Sequence, residues 1–479
     1  MSITVHTPAG DPLQWGGRFS SEPDADLLAF GSSLEEDLLL APFDVRCSQA
    51  HVRALADGKV LPKETTDALE RALDAVEREI GDGSFFAYAR NARAEDVHGA
   101  IDSRVRELAP QAGESLHTGR SRNDQIATTI LLYARDRADA GAVLSRRIAR
   151  AAIARARTAL SERTVLAATT HWQPAQPILL AFWLGAFAEN FVRAARRFER
   201  VAQDAAELCP LGSGACSGST LPLARDSSAA FLGFTAPSRN ALDAIGDRDV
   251  ALDLLHAVTR ALIGASRVSE EAIIWCTPAF GIARLDDSAS TGSSLMPQKH
   301  NPDPFELVRA NAATALGSLS GALASIKGLA LSYHKDLQET KAIVLRATER
   351  GLGALRAFER TFEALHFKPE VMAARAEEGY VVATDLADAL IARGISARRA
   401  HHLVGSAVAR AEQAGRNLNR ADLAQLATDA QLDPFEAPLD ARASIEAKRT
   451  SGSTSPAAVA QALDQLEAIL EAKPKGVNQ

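Results

Sequence analysis

Residues 121–157 read SRNDQIATTILLYARDRADAGAVLSRRIARAAIARAR, and the periodicity of this stretch decides the fold class. From Gln125 to Gln173 the only interruption is Gly141, and apolar residues recur at Ile126, Ile130, Tyr133, Leu144 and Ile148, the repeat of a helix face. At 1.5 Å per residue even ~35 helical residues reach about 50 Å, a length that suits the spine of a bundle rather than a compact α/β unit. The start is marked as well. Ser121-Arg122-Asn123-Asp124 fits a capping box, with serine at the N-cap and an acid three residues later.

Further long segments are expected from Pro177 onward, from Asp247 to Trp275, and over FELVRANAATALGSLSGALASIKGLAL at 305–331. The last carries Gly317 and Gly321, each costing a helix about 1 kcal/mol relative to alanine, and close approach of neighbouring helices is the simplest compensation. Helices apolar nearly all round imply an all-α core in which each is surrounded by others. One chain supplies few helices to surround them, so subunits are expected to pool theirs. Residues 1–121 form shorter segments broken by Gly81, Gly83, Pro110 and Gly113, residues 122–372 carry the long helices, and 373–479 hold shorter helices with polar joints such as TSGSTSP at 450–456. This gives three expected domains, in line with the roughly three that the length suggests.

Composition narrows the function classes. The net charge of −7 argues against a nucleic-acid partner, and the basic run SRRIARAAIARAR at 145–157 has the helical spacing of a solvated or ion-paired face. Cys47, Cys209, Cys216 and Cys276 show no metal-ligand spacing, which fits a reduced cytoplasmic setting. The N-terminal MSITVHTPAGDPLQWGG lacks the apolar block of a secretory signal, and the longest apolar run, ILLAFWLGAFA at 178–188, is too short to span a membrane.

Four segments concentrate polar residues: HTGRSRNDQ (117–125), TTHWQPAQP (169–177), GSSLMPQKHNPDPFE (292–306) and YHKDLQETK (333–341). Taken singly they are unremarkable: His171 reads as a structural histidine, Arg120 and Arg122 as surface cations, Ser293 and Ser294 as a linker. Together they supply a hydroxyl on a mobile loop, an imidazole, the Glu306 carboxylate, Lys299 and several amide donors, a set suited to proton transfer beside carboxylates. Asn301 is expected to cap a helix that begins at Pro302 with Asp303 in its first turn, so Lys299 and the helix N-terminus form an anion-stabilising floor under a serine flap. The set calls for neither a metal nor a cofactor.

GSSLMPQKHNP closely resembles the signature loop of the fumarase and aspartase superfamily. HTGRSRNDQ, THWQPAQP and YHKDLQETK are similar to the branch of argininosuccinate lyases and delta crystallins, and QWGGRF (14–19), DRD (247–249) and TDLADAL (384–390) extend the likeness over nearly the whole chain. The resemblance implies a three-domain fold with a tetrameric core of about twenty pooled helices, sites shared by three subunits, and anti elimination of fumarate from argininosuccinate to give arginine. It implies Ser293 as base, favoured by Lys299, and His171 as acid, oriented by Glu306; the opposite assignment, with His171 as base, is chemically open. It also implies substrate contacts from Ser33, Asn123, Thr170, Asn301, Tyr333, Gln338 and Lys341, with Arg122 and Arg248 nearby.

The likeness has departures. Gly99, Ile101 and Asp102 stand where Thr, Asn and Glu are commoner, Ala224 replaces an aspartate, Ala241 and Gly246 replace serines, and Ala279 replaces a glutamate. These bear on which substituted succinate is cleaved more than on the type of reaction. A relative acting on another substituted succinate, or a crystallin-like protein without turnover, are the competing readings.

Overall fold

The computed structural model describes residues 24–92 and 94–472; the QWGGRF stretch lies outside them. The architecture is all-α with three two-stranded sheets as joints. The long helices are Arg122–Ser161, Leu180–Asp204, Asp249–Cys276, Asp303–Ile326 and Leu337–Glu363. None of the helices among the described residues is long and apolar enough to cross a membrane.

The first long helix starts as its sequence dictates. Asp124 accepts the Ser121 backbone N–H at 3.1 Å and Ser121 Oγ accepts that of Asn123 at 3.2 Å, a reciprocal cap. Its far end differs from expectation: the helix stops at Ser161, and Val165–Thr170 and Gln173–Leu179 form an antiparallel hairpin. The reason is local. Val165, Thr169 and Thr170 bring β-branched side chains, and Pro174 and Pro177 lack the N–H that a helix interior needs. The next helix therefore begins at Leu180, not Pro177. The segment around the serine loop is corrected too, since Pro302 rather than Asn301 takes the cap position and its carbonyl accepts the N–H groups of Phe305 and Glu306.

The chain divides into two compact units. The first comprises residues 1–138, 200–256 and 317–349. In it Ile126 and Ile130 pack with Ala251, Leu255, Ala322, Val344 and Ala347, so parts of four long helices share one apolar seam. The second comprises 139–199, 257–316 and 350–479. Its centre is aromatic: Phe187 and Phe358 meet each other and both Phe191 and Phe362, and Phe305 meets Phe358 edge-on at 6.1 Å. There Gly141 is required by packing, because a Cβ would lie 2.6 Å from the Phe198 ring.

The basic run is an ion-paired face. Arg146 and Arg150 donate to the Leu470 carbonyl at 3.0 and 3.1 Å, capping the C-terminal helix Pro456–Glu471, while Arg157 pairs with Asp464 and Glu467 of the same helix. In TDLADAL, Asp385 is buried and accepts from Ser444 and Lys448, both at 2.6 Å, which ties this helix to Ala441–Ala447. Gly317 and Gly321 stand open on the helix Asp303–Ile326. Among the described residues neither meets a neighbouring helix backbone; a Cβ on Gly321 would touch only Ile343, and one on Gly317 would meet nothing.

Candidate active site

In the first unit the expected binding residues gather around buried charge. Lys341, in the first turns of Leu337–Glu363, places Nζ 2.6 Å from Asp37 Oδ1 and donates to Ser33 Oγ at 3.4 Å, while Ser33 Oγ donates to Asp37 Oδ2 at 2.6 Å. All three are buried. Asp37 is thus the residue that sequence reasoning missed: it sits four residues after Ser33, one helical turn, within SLEED. Gln338 donates to the Gly31 carbonyl at 3.0 Å, Asn123 to that of Ala215 at 3.0 Å, and Arg122 to Asp96 Oδ1 at 2.5 Å.

Arg248 is a buried cation of this unit that is incompletely matched. It is only 4% exposed, its Nη1 donates to the Asp247 carbonyl at 2.6 Å, and its Nε and Nη2 find no acceptor among the described residues. Burial pulls its guanidinium down to about 10, opposed by the nearby Tyr333 phenol. Tyr333 follows Ser332, whose φ of 83° is left-handed, and the Ser332 backbone explains one departure from the family pattern. A Cβ on Gly246 would sit 2.7 Å from the Ser332 carbonyl oxygen, so no larger residue fits there without movement. Ala224 leaves the Arg225–Leu232 helix without a side-chain cap, where the customary aspartate would supply one. Asp102 retains a charge partner in Arg106 at 2.8 Å.

In the second unit the expected catalytic groups stand on two exposed elements. His171 and Trp172 are the two-residue connection of the hairpin, with φ of 55° and 60°, the signature of a type I′ turn. Asn-Gly fits such a turn with little strain, whereas an imidazole and an indole at positive φ are costly. The pairing register shifts just before the tip, where Ala168 faces Gln176 and Thr169 faces Pro174, so Ala175 on the returning strand is left without a partner. Thr170 is exposed beside this tip. Strain at an exposed tip signals that the side chains there are retained for something other than folding.

The serine loop is closed at its base by Thr291 and Asn301, whose backbones exchange hydrogen bonds of 3.1 and 2.8 Å. Asn301 spends its side-chain amide on the Gly292 carbonyl at 3.3 Å and not on a helix cap. Thr291 Oγ1 donates to Asp303. Within the loop, Ser293 Oγ accepts the backbone N–H groups of Leu295 and Met296 at 3.2 and 3.1 Å. Two donors aimed at one hydroxyl oxygen favour its deprotonated form. Lys299 and Glu306 are exposed, while Phe305 between loop and helix is fully buried and pins the helix start. Among the described residues no hydrogen bond or ion pair joins His171, Ser293, Lys299 and Glu306 to one another.

Comparison with known proteins gives the family of the chain. Residues 17–317 match a family model described as Lyase, and residues 380–446 match one described as Argininosuccinate lyase C-terminal. The chain is 40% identical to the argininosuccinate lyase of Thermus thermophilus, with 94% of this chain and 97% of that protein covered. It is 39% identical to the argininosuccinate lyase of Acidothermus cellulolyticus, covering 95% of this chain and 93% of that one. Among solved structures, an EDDS lyase in complex with formate superposes with a TM-score of 0.78 at 26% identity, over 92% of this chain and 88% of that one. On these matches the chain belongs to the argininosuccinate lyase family of enzymes.

Proposed function

We propose that this protein cleaves argininosuccinate to arginine and fumarate by anti elimination. The observation that carries the reading is the setting of Ser293, a hydroxyl on a flap whose oxygen already receives two backbone N–H groups. Ser293 takes the proton from the carbon next to a carboxylate, and the aci-carboxylate that forms is stabilised by Lys299 and the N-terminus of Asp303–Ile326. His171, oriented by Glu306, protonates the departing guanidino nitrogen as the C–N bond breaks. Anti geometry asks for base and acid on opposite faces of the substrate, and a flap and a hairpin tip are two separate elements that meet this need. Arg248, with two unmatched nitrogens, is suited to a succinate carboxylate, and Ser33, Asn123, Thr170, Tyr333, Gln338 and Lys341 line the remainder of the binding site.

The working form in this reading is a cytoplasmic homotetramer with four sites, each drawing on three subunits, built from the segments 1–121, 122–372 and 373–479. Leu307, Leu316 and Leu323 support it, being 61, 52 and 51% exposed along Asp303–Ile326, with Gly317 and Gly321 open on the same helix. Light scattering coupled to an assay tests this form, since an active monomer contradicts it.

The substrate is tested by incubation with argininosuccinate while the ultraviolet absorbance of fumarate is followed, with other N-substituted succinates as competitors. Release from argininosuccinate alone supports the reading. Preference for another succinate points to the chemistry of the EDDS lyase neighbour, and no release from any of them points to a crystallin-like role.

A further inference from the structure

The stretch Leu211–Gly218, LGSGACSG, is shaped by two charges of opposite sign. It doubles back through Gly212 and Gly214, whose φ values are 86° and 62°, and a Cβ on Gly214 would lie 2.7 Å from the Gly218 carbonyl oxygen. On one side Arg225 donates to the Leu211 carbonyl at 3.0 Å and to the Cys209 carbonyl at 3.2 Å. On the other lies Asp124, which is completely buried. The capping box accounts for only one of its oxygens: Oδ1 accepts from Ser121 N, while Oδ2 accepts from Gly212 N at 2.9 Å and Gly214 N at 2.8 Å. Three N–H donors converge on a group that has only acceptor sites, so an amide in its place would turn an N–H against one of them. The loop in turn presents the Ala215 carbonyl, which accepts from the Asn123 side chain at 3.0 Å.

We propose that Asp124 is a positioning residue for substrate binding: it fixes the 211–218 loop, and the loop's Ala215 carbonyl orients the Asn123 amide so that Oδ1 and the second N–H face the ligand. This rests on Asn123 as a substrate contact. The carboxylate acts through its neighbour in sequence by way of a loop some ninety residues further along the chain, so its effect falls on binding and not on proton transfer.

The test is a double-mutant cycle in the full-length enzyme. Asp124→Asn is expected to raise KM for argininosuccinate about tenfold while kcat falls by less than about threefold, and to add less than about twofold to KM when Asn123→Ala is already present. Effects of the two changes that multiply in full overturn the proposal, as does an unchanged KM in folded Asp124→Asn. Gly214→Ala perturbs the loop while keeping the Asp124 side chain itself and is expected to raise KM likewise; if Asp124→Asn does not fold, an unchanged KM in Gly214→Ala overturns the proposal. Cys216 at the exposed loop tip gives a readout independent of turnover. Its alkylation, located by peptide mass, is expected to quicken about fivefold in Asp124→Asn or Gly214→Ala. An unchanged rate sinks the positioning role even if wild-type enzyme releases no fumarate, an outcome that by itself counts only against the proposed reaction.

Discussion

In the unit that holds Ser33, Arg122 and Lys341, most of the site residues already have partners: Lys341 with Asp37, Arg122 with Asp96, Asn123 and Gln338 with backbone carbonyls, while Arg248 keeps two nitrogens unmatched among the described residues. In the unit that holds His171 and Ser293, Ser293 is half-buried and bonded only by backbone N–H groups of its own loop, while His171, Lys299 and Glu306 stand exposed and have no side-chain hydrogen bond or ion pair among the described residues. The first set is preorganised within one fold, as a binding surface must be to avoid ordering costs when ligand arrives. The second consists of single groups carried on a strained turn and a pinned flap. A group held out in this way gains its working environment only when other protein surface closes around it. The contrast therefore separates residues whose loss should be felt in stability from residues whose loss should be felt only in rate.

Removing the flap's hydroxyl should give the largest effect and leave the fold intact. Ser293→Ala is expected to lower kcat by about 10⁴-fold, with unfolding by denaturant unchanged within about 0.5 kcal/mol, because the hydroxyl bonds to backbone N–H groups of its own loop. Turnover within tenfold of wild type would remove serine from the role of base and leave His171 as the candidate. The contrast is sharpened by mixing Ser293→Ala with His171→Asn subunits after reversible dissociation. If each site draws its flap and hairpin tip from different protomers, activity returns in the mixture; two folded, inactive pools that stay inactive together break that idea.

The preorganised region should respond in the opposite way. Lys341→Met strands the fully buried Asp37 carboxylate and is expected to cost about 3 kcal/mol of stability, measured by denaturant unfolding, in addition to its effect on substrate binding. Replacing Asp37 by leucine in the same protein should recover most of that stability and none of the activity. A Lys341→Met protein as stable as wild type would show that the pair is not matched as described.

A smaller effect comes from Asp44, also buried in the first unit, where it accepts from His98 at 2.8 Å and Gln125 at 2.8 Å. Burial pushes its carboxyl up, but His98, Arg120 and Gln125 outweigh this and hold it down at about 2, against an ordinary 3.8. A depressed carboxylate contributes stability that is present above the ordinary value and lost as pH falls through the folded one. About 2 kcal/mol should therefore disappear between roughly pH 4 and pH 2 in wild type and be missing at every pH in Asp44→Asn. An acid-unfolding curve of the same shape in both proteins would contradict this.

The same division marks what the sequence made legible. The helix from Arg122 could be read because its apolar residues keep one period and Ser121 and Asp124 cap its start. The flap could be read because glycine, serines and a proline-led helix start sit in a row. The hairpin was not legible: Thr169, Thr170, Pro174 and Pro177 look like loop chemistry, and the positive φ of His171 and Trp172 depends on strand pairing that no single residue announces. Nor were the partners of the binding cations. Lys341 lies about three hundred residues from Asp37, and a one-dimensional pattern holds no information on which acid a distant lysine will meet. Gly317 and Gly321 read as costly in a helix, but which helices approach them is not written in their own stretch of sequence, and among the described residues of this chain only the Ile343 side chain comes near Gly321.

Glu306 offers the finest test, because it belongs to the exposed set and yet sits beside a structured element. It lies in the first turn of Asp303–Ile326, next to buried Phe305, where its charge interacts favourably with the helix N-terminus. Glu306→Gln keeps the shape and removes that charge, so stability should fall by no more than about 0.5 kcal/mol. Its larger consequence should be in the pH profile. If Glu306 faces His171 in the working enzyme, its carboxylate raises the affinity of the imidazole for a proton, and losing it should move the alkaline limb of kcat/KM down by about one pH unit. A residue that merely caps the helix would change stability slightly and leave that limb where it is. An unmoved limb in a folded Glu306→Gln enzyme thus separates the flap's helix from the hairpin's imidazole, and places the acid's second contact elsewhere.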